Sequence, residues 1–422
     1  VKLVIRGSQA DGSVRAPPSK SYTHRAIVLA ALSHGDSRIT GPLLSGDTLA
    51  TLKGMEQFGA ITRKDGGDLV VRGGKLRAPS GPIDCANSGT TLRLLSGIAS
   101  LLKSDVVLTG DESLRGRPMK PLLAALNEMG VKATTAKNDG LPPITVRGPN
   151  HGRWAHIKGD VSSQFISSLL ISSALKDLDT EIVITTPLMS RPYVEITRDM
   201  MALHGVTSTE TKNGYRVLGG QRYRPRDYAI PGDYSSASFP MVAGALTGRA
   251  TVTGLDPCDR QGDRAVLEVL RRFGASVSVN GDAVTVEKGA LRGASIDVRD
   301  MPDSFPILAV LATQASGTTE LTNAKHLRFK ESDRIATTTS FLRLMGADIE
   351  EREDGCVVRG PTRLKGRSID PSDDHRILMA ATVAGLVADG ATTVSDGDCY
   401  GISYPGFVKD MKTLGCSVEE SS

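Results

Sequence analysis

Apolar and polar positions along this chain follow a pattern that repeats. An amphipathic run with apolar residues at helical spacing ends on a hydrophobe, meets a glycine followed by Ala, Val or Cys, and gives way to a strand-like stretch. The glycines are Gly59, Gly130, Gly205, Gly274, Gly346 and Gly415, about 70 residues apart, so six copies nearly exhaust the chain. A run such as 265–273 predicts a surface helix, and the glycine after it predicts a left-handed cap. A hairpin is expected next, clearest where Asn280-Gly281 separates residues 276–279 from 283–286.

The second hairpin strand is a signature of its own: Val70-Val71-Arg72-Gly73, Thr145-Val146-Arg147-Gly148, Arg216-Val217-Leu218-Gly219, Thr285-Val286 running to Gly289, and Val357-Val358-Arg359-Gly360. The sixth copy ends at Ser417-Val418-Glu419-Glu420 with only its first strand. The N-terminus opens with Leu3-Val4-Ile5-Arg6-Gly7, the same phrase with no hairpin before it. The N-terminal strand is therefore expected to complete the last unit, which makes whatever folds separately between the two ends an insertion.

Inside each unit lies a second helical segment that is apolar or small nearly all round: 24–32, 91–102, 164–175, 237–246, 305–315 and 375–387. Such a helix is a buried one, and these are too short and too rich in small residues to span a membrane. Strands follow, as at 105–109 and 181–185. The fold class read from this pattern is α/β, in units ordered strand, buried helix, strand, surface helix, strand, strand, with helices enclosed by sheets.

Composition narrows the function. With 422 residues, 39% hydrophobic content and net charge +4, the chain can bury sizeable cores, and its length suggests two to three domains. The mild basic excess suits small anionic substrates. At 4% aromatic content and without a Lys/Arg-dense run, a nucleic-acid partner is not expected. Cys85, Cys258, Cys356, Cys399 and Cys416 are odd in number and lack metal or redox spacing, so they read as reduced structural thiols. No signal peptide, transmembrane run or low-complexity tract is seen, and a cytoplasmic location is expected. The best linker candidate is 221–231, polar and proline-bearing, with three units on either side.

Chemistry enters at the residues that introduce the buried helices: Ser19-Lys20-Ser21, Asn87-Ser88-Gly89-Thr90, Ser162-Ser163-Gln164, Asp233-Tyr234-Ser235-Ser236, Asp303-Ser304 and Asp373-Asp374-His375-Arg376. Any one of these alone reads as an N-cap. As a set they suggest an anion site, because helix starts carry unpaired N–H groups and about half a positive charge. Lys20, Arg25 and Arg376 sit at those starts, where a cation opposes the helix dipole and calls for an anion. Arg115, Arg117, Arg191 and the segment Arg328-Phe329-Lys330-Glu331-Ser332-Asp333-Arg334 add charge at the starts of surface helices. Spacing of three and four would let Glu331, Lys330 and Arg334 share one helical face, though a solvated helix end would look similar.

These motifs, with Ala16-Pro17-Pro18 before Ser19-Lys20, Arg117-Pro118, Gln164-Phe165 and Ser190-Arg191-Pro192-Tyr193, resemble those of the 3-phosphoshikimate 1-carboxyvinyltransferase (EPSP synthase) family, in the family's order and over nearly the whole chain. The resemblance implies a two-lobed inside-out α/β barrel of six βαβαββ units, three per lobe. One lobe would comprise 1–17 plus 231–422 and the other 18–230, with hinge crossings near 16–20 and 221–233. It implies transfer of the enolpyruvyl group of phosphoenolpyruvate to the 5-hydroxyl of shikimate 3-phosphate, without metal or organic cofactor, by a monomer. Glu331 would donate a proton to the methylene carbon and Asp303 would accept one, with Lys20 bridging both substrates. Phosphoenolpyruvate would meet Lys20, Gly89, Arg117, Gln164, Arg334 and Arg376. Shikimate 3-phosphate would meet Lys20, Ser21, Arg25, Ser162, Ser163, Gln164, Ser190, Asp303, His326 and Lys330.

Two positions depart from the better-known bacterial pattern, which has an Asn where this chain has His326 and a Lys where it has Ile402. The runner-up, the related UDP-N-acetylglucosamine enolpyruvyl transferase, usually carries a reactive Cys before the Arg-Pro pair. The loop from Gly110 to Arg117 has none. A non-catalytic phosphate or nucleic-acid binder would explain the arginines but not Asp303 and Glu331 among them.

Overall fold

The structure is a computed structural model describing residues 1–421. Among these the strands form six sheets of four strands each. In the fifth, Ser295–Asp297, Gly317–Thr322, Gly355–Gly360 and Asp348–Arg352 lie side by side in that order. The first pair is parallel and the others antiparallel. Parallel pairing needs a crossover, and the helix Phe305–Thr313 supplies it.

The six crossover helices are Lys20–Leu32, Gly89–Ala99, Ser163–Ser173, Tyr234–Thr247, Phe305–Thr313 and His375–Gly385. Every residue of the last three is buried, as their apolar circumference requires. Small residues let such helices approach closely. A Cβ on Gly97 would lie 2.5 Å from Ser168 Oγ, and that hydroxyl instead donates to the Arg93 carbonyl at 2.6 Å and accepts from the Gly97 N–H at 3.1 Å. Surface helices are one-sided: in Val266–Phe273, Val266, Leu267, Val269, Leu270 and Phe273 are buried while Glu268, Arg271 and Arg272 face out. The six glycines that follow the surface helices all have positive φ, from +81° at Gly130 and Gly205 to +107° at Gly59.

The N-terminal strand Lys2–Ile5 lies antiparallel between Thr392–Val394 and Val418–Ser421, in the sixth sheet. The first and fourth sheets hold a feature that the repeat did not predict. Asp11–Arg15, which precedes the first enclosed helix, pairs with Arg249–Thr253 of the fourth unit. Tyr228–Ala229, which precedes the fourth helix, pairs with Ile39 and Thr40 of the first. Each of these two strands completes the sheet that the other's position in the repeat would suggest.

The segment 221–231, read as the linker, leads to the boundary between two compact units at Ile230 and Pro231. The Gln221 side chain accepts from Thr207 N–H, Arg226 N–H donates to Ser37 Oγ, and the buried Tyr223 hydroxyl donates to the Ile171 carbonyl. The segment is pinned to its neighbours, because proline and polar residues also suit an edge strand. One correction concerns the hairpin at 280. Asn280 pairs with Ala283, so Gly281 and Asp282 form the two-residue turn.

The chain divides into two compact units, Val1–Pro17 with the chain from Pro231 onward, and Pro18–Ile230. Each has its own apolar core. Cys85, Cys356 and Cys416 are buried, whereas Cys258 is exposed and so is no packing residue. No helix among the described residues is long and apolar enough to cross a membrane.

Leu3 and Ile5 are fully buried in the core of the discontinuous unit. Leu3→Ala should lower the stability of that unit by about 2–5 kcal/mol, the usual range for emptying a core leucine. Urea unfolding followed by circular dichroism checks this, and a loss under about 0.5 kcal/mol would make the N-terminal strand dispensable.

Candidate active site

In the inserted unit the candidate residues gather where enclosed helices begin. Lys20 opens its helix and donates from Nζ to Asp47 Oδ2 at 3.0 Å. Arg25, one turn on, is fully buried and donates from Nε to Thr197 Oγ1, from Nη1 to the Ser21 carbonyl and from Nη2 to the Tyr193 carbonyl, at 2.7 to 2.9 Å. Burial lowers its guanidinium to about 10. Tyr193 N–H in turn donates to the Ser190 carbonyl, and Ser190 introduces the helix Arg191–Leu203 with φ +56°. Lys20, Ser21, Arg25 and Ser190 are thereby tied into one framework.

A second group surrounds the start of Gly89–Ala99. Gln164 is held at both ends, its Oε1 accepting from Arg93 Nη1 and its Nε2 donating to Thr90 Oγ1, each at 2.7 Å. Arg117 donates from Nη2 to Asn87 Oδ1 and to Ser113 Oγ. A Cβ on Gly89 would lie 3.0 Å from Arg117 Nη1 and 3.2 Å from Arg93 Nη1, so glycine is what lets two guanidinium groups close on this backbone. Ser162 caps its helix by accepting from Gln164 N–H. That bond uses a lone pair and leaves the Ser162 O–H as a donor, beside the buried Ser163.

The discontinuous unit holds a cluster of opposite charges. Arg334, 1% exposed, donates from Nη1 to Asp303 Oδ1 at 2.7 Å, from Nη2 to Glu331 Oε2 at 2.6 Å and from Nε to Asp374 Oδ2 at 2.8 Å. Burial works against its charge, but Asp374, Glu331 and Asp303 outweigh that and hold it firmly protonated. Arg376, also 1% exposed, donates to Ser235 Oγ at 2.7 Å, Ser236 Oγ at 3.3 Å and Asp303 Oδ2 at 3.1 Å. Both serines also donate to Asp233. Asp303 therefore spans two buried arginines. Burial alone would raise its carboxyl, yet Arg376, Arg334 and Lys330 hold it well below the usual carboxylate range. His326 is buried nearby and pushed down to about 3 by desolvation and then by Lys330 and Arg334, so its ring is neutral.

One expectation changes and two gain structural detail. Lys330, Glu331 and Arg334 do not share a helical face. The helix is Arg334–Leu344, capped by Asp333, and Lys330 and Glu331 lie in the bend before it, where Glu331 still reaches Arg334. The cations at helix starts also find partners inside the protein: Asp47 for Lys20, Asp303 for Arg376, and neutral oxygens for Arg25. Capping explains Ser88, Ser162, Asp233 and Asp374, each of which accepts from an N–H of its own helix. Sequence reasoning missed Asp47 and Arg93. A signal for Arg93 was available, since it is a single charge in the otherwise apolar or hydroxylic helix that begins at Gly89. Asp47 gave none, because a carboxylate in the first turn of Gly46–Gln57 is ordinary helix electrostatics.

The architecture is that of the enolpyruvyl transferases. NikO of Streptomyces tendae, an enolpyruvyl transferase, is similar in fold with a TM-score of 0.81 at 20% identity, covering 100% of this chain and 98% of its own. EPSP synthase from Acinetobacter baumannii reaches a TM-score of 0.82 at 29% identity over 100% of both chains. A profile of the family EPSP synthase (3-phosphoshikimate 1-carboxyvinyltransferase) matches residues 4–411. The 3-phosphoshikimate 1-carboxyvinyltransferase of Methanocorpusculum labreanum is 52% identical over 100% of both chains, and that of Methanocaldococcus jannaschii 44% identical over 99% of both. The chain belongs to the EPSP synthase family of enzymes.

The buried cluster makes a pH prediction through His326. Its folded value near 3 lies below the unfolded value of about 6.5, so the stability it contributes is present above about 6.5 and is lost as pH falls toward 3. Its ring signals in a histidine-labelled NMR spectrum should not move between pH 5 and 8. A midpoint near 6.5 would contradict the placement.

Proposed function

We propose that the protein transfers the enolpyruvyl group of phosphoenolpyruvate to the 5-hydroxyl of shikimate 3-phosphate, releasing phosphate. The addition protonates the methylene carbon of phosphoenolpyruvate while the attacking hydroxyl gives up its proton. The resulting tetrahedral intermediate then expels phosphate and returns a proton from the new methyl group. Such a reaction needs one group to give a proton, one to take a proton, and cations for four acidic groups, a carboxylate and a phosphate on each substrate. The observation that carries this reading is that Asp303 and Glu331, two carboxylates with opposite tasks, share the buried Arg334.

In this reading Glu331 donates to the methylene carbon and Asp303 accepts from the 5-hydroxyl. Arg334 and Arg376 receive the carboxylate or phosphate of phosphoenolpyruvate together with Lys20, Gly89, Arg117 and Gln164. Shikimate 3-phosphate is taken by Ser162, Ser163 and Ser190 at its phosphate, with Lys20, Ser21, Arg25, Gln164, Asp303, His326 and Lys330. His326, neutral and buried, serves as a hydrogen-bonding group rather than as a charge. The Asp303 carboxylate is a poor base while it spans Arg334 and Arg376. An incoming substrate anion that takes over these arginines weakens that hold and restores basicity to Asp303 when the 5-hydroxyl is in place.

Phosphate release from phosphoenolpyruvate should depend on shikimate 3-phosphate and should not occur with UDP-N-acetylglucosamine; the reverse preference would overturn the assignment. Charge-assisted hydrogen bonds are worth roughly 1.5–3 kcal/mol, or about one to two decades of affinity. Arg376→Ala should therefore raise KM for phosphoenolpyruvate by about 10- to 100-fold and that for shikimate 3-phosphate far less. Equal effects on both substrates would make Arg376 a structural residue.

A further inference from the structure

Lys20 occupies an unfavourable place. It is the first residue of a helix, where its charge opposes the positive end of the dipole, and Arg25 follows one turn later. Its side chain is 14% exposed, and a long ammonium side chain at a helix start has many rotamers to choose from. The structure fixes it through Asp47, whose side chain is 9% exposed and 3.0 Å away.

Asp47 is suited to that task by its own surroundings. It sits in the first turn of Gly46–Gln57, where the helix dipole favours a carboxylate. The two helices are joined again one turn further in. His24, four residues after Lys20, meets Thr51, four residues after Asp47, with Nδ1 and Oγ1 2.7 Å apart. Burial, then Lys20 and Arg25, hold the His24 ring well below its ordinary value, so it is neutral and adds no competing charge. Thr51 Oγ1 lies 2.6 Å from Thr91 Oγ1, and Thr91 Oγ1 also lies 3.2 Å from the Asp47 carbonyl and 2.7 Å from Ser88 Oγ. A third helix start, that of Gly89–Ala99, is thus bolted to the same pair. The Lys20–Asp47 pair forms one rung and His24–Thr51 a second rung beneath it, which leaves the ammonium little freedom to swing.

We infer that Asp47 is a positioning residue for enolpyruvyl transfer, holding the Lys20 ammonium in a fixed place at the start of its helix. Of the three N–H bonds of that ammonium, Asp47 takes one and two remain to be shared by two substrates. This deepens the reading given under Proposed function and rests on it for the identity of those substrates. The chain from Asp47 to Thr91 also links Lys20 to the Gly89 region, so the cations of the inserted unit share one rigid support.

The test uses the full-length protein with Asp47→Asn, which keeps shape and removes charge. It should lower kcat/KM for transfer between phosphoenolpyruvate and shikimate 3-phosphate by about 10- to 100-fold, the worth of one charge-assisted hydrogen bond. Thermal unfolding should remain near that of the wild type. Acetylation of Lys20 by acetic anhydride, read by peptide mass, should become several-fold faster while that of the exposed Lys53 is unchanged. Asp47→Glu, which keeps the charge, should retain more activity than Asp47→Asn and provides a second variant if the first folds poorly. Wild-type turnover in Asp47→Asn, or an unchanged rate of Lys20 acetylation, would overturn the inference. If the wild type fails to turn over these two substrates the proposed reaction falls, while the acetylation comparison still decides whether Asp47 holds Lys20.

Discussion

A helix enclosed on every side can carry polar chemistry only at its ends. Six of the helices here are buried along most or all of their length, and the three of the discontinuous unit are buried at every residue. Their starts offer unpaired N–H groups and a positive dipole, so acceptors and anions are drawn there. The consequences appear in the hydrogen bonds. Arg376 at the start of one enclosed helix reaches Ser235 and Ser236 at the start of another, and both Arg376 and Arg334 reach Asp303 just before a third. Gln164 likewise meets Thr90, joining two helix starts in the inserted unit. Packing that suits only apolar and small side chains thus fixes where the charged ones lie.

The two units meet the electrostatic demand differently. In the inserted unit, Arg25, Arg93 and Arg117 donate to hydroxyl, carbonyl and amide oxygens. In the discontinuous unit, Arg334 meets three carboxylates within 2.8 Å. Buried charge persists only when paired and hydrogen-bonded, and removing one partner of such a pair typically costs about 3–5 kcal/mol. Asp374 is therefore as necessary to the site as the arginine it holds. In the proposed reaction a substrate anion would take over the two arginines that Asp303 spans, making a stabilising contact part of the chemistry.

Much of the fold was legible because backbone constraints mark the sequence directly. A left-handed cap requires glycine, so six caps recur as six glycines, and enclosure requires an apolar circumference, so the buried helices stand out. The strand exchange was not legible in the repeat, and only the domain bounds implied by the family resemblance placed the two strands on their proper sides. Asp11–Arg15 and Tyr228–Ala229 precede equivalent helices, and nothing in their residues says which sheet each will join. Glu331 and Asp303 stood out by their places at helix starts but took their roles from motif resemblance, and pattern alone would have read Ser162 and Ser163 as caps. Asp47 and Arg93 went unnoticed because their importance lies in what they hold, namely Lys20 and Gln164, and such pairing across about 27 and 71 residues has no local signature.

In the proposed reaction two of the carboxylates gathered on Arg334, Glu331 and Asp303, move the protons of the addition and elimination. The most direct measurement follows solvent deuterium into the methyl group of the tetrahedral intermediate, with phosphoenolpyruvate and shikimate 3-phosphate in deuterated water. The wild type should place deuterium there at each turnover. Glu331→Gln should slow that step by roughly two to four decades with little change in substrate binding. Near-normal incorporation and turnover in Glu331→Gln would contradict the claim.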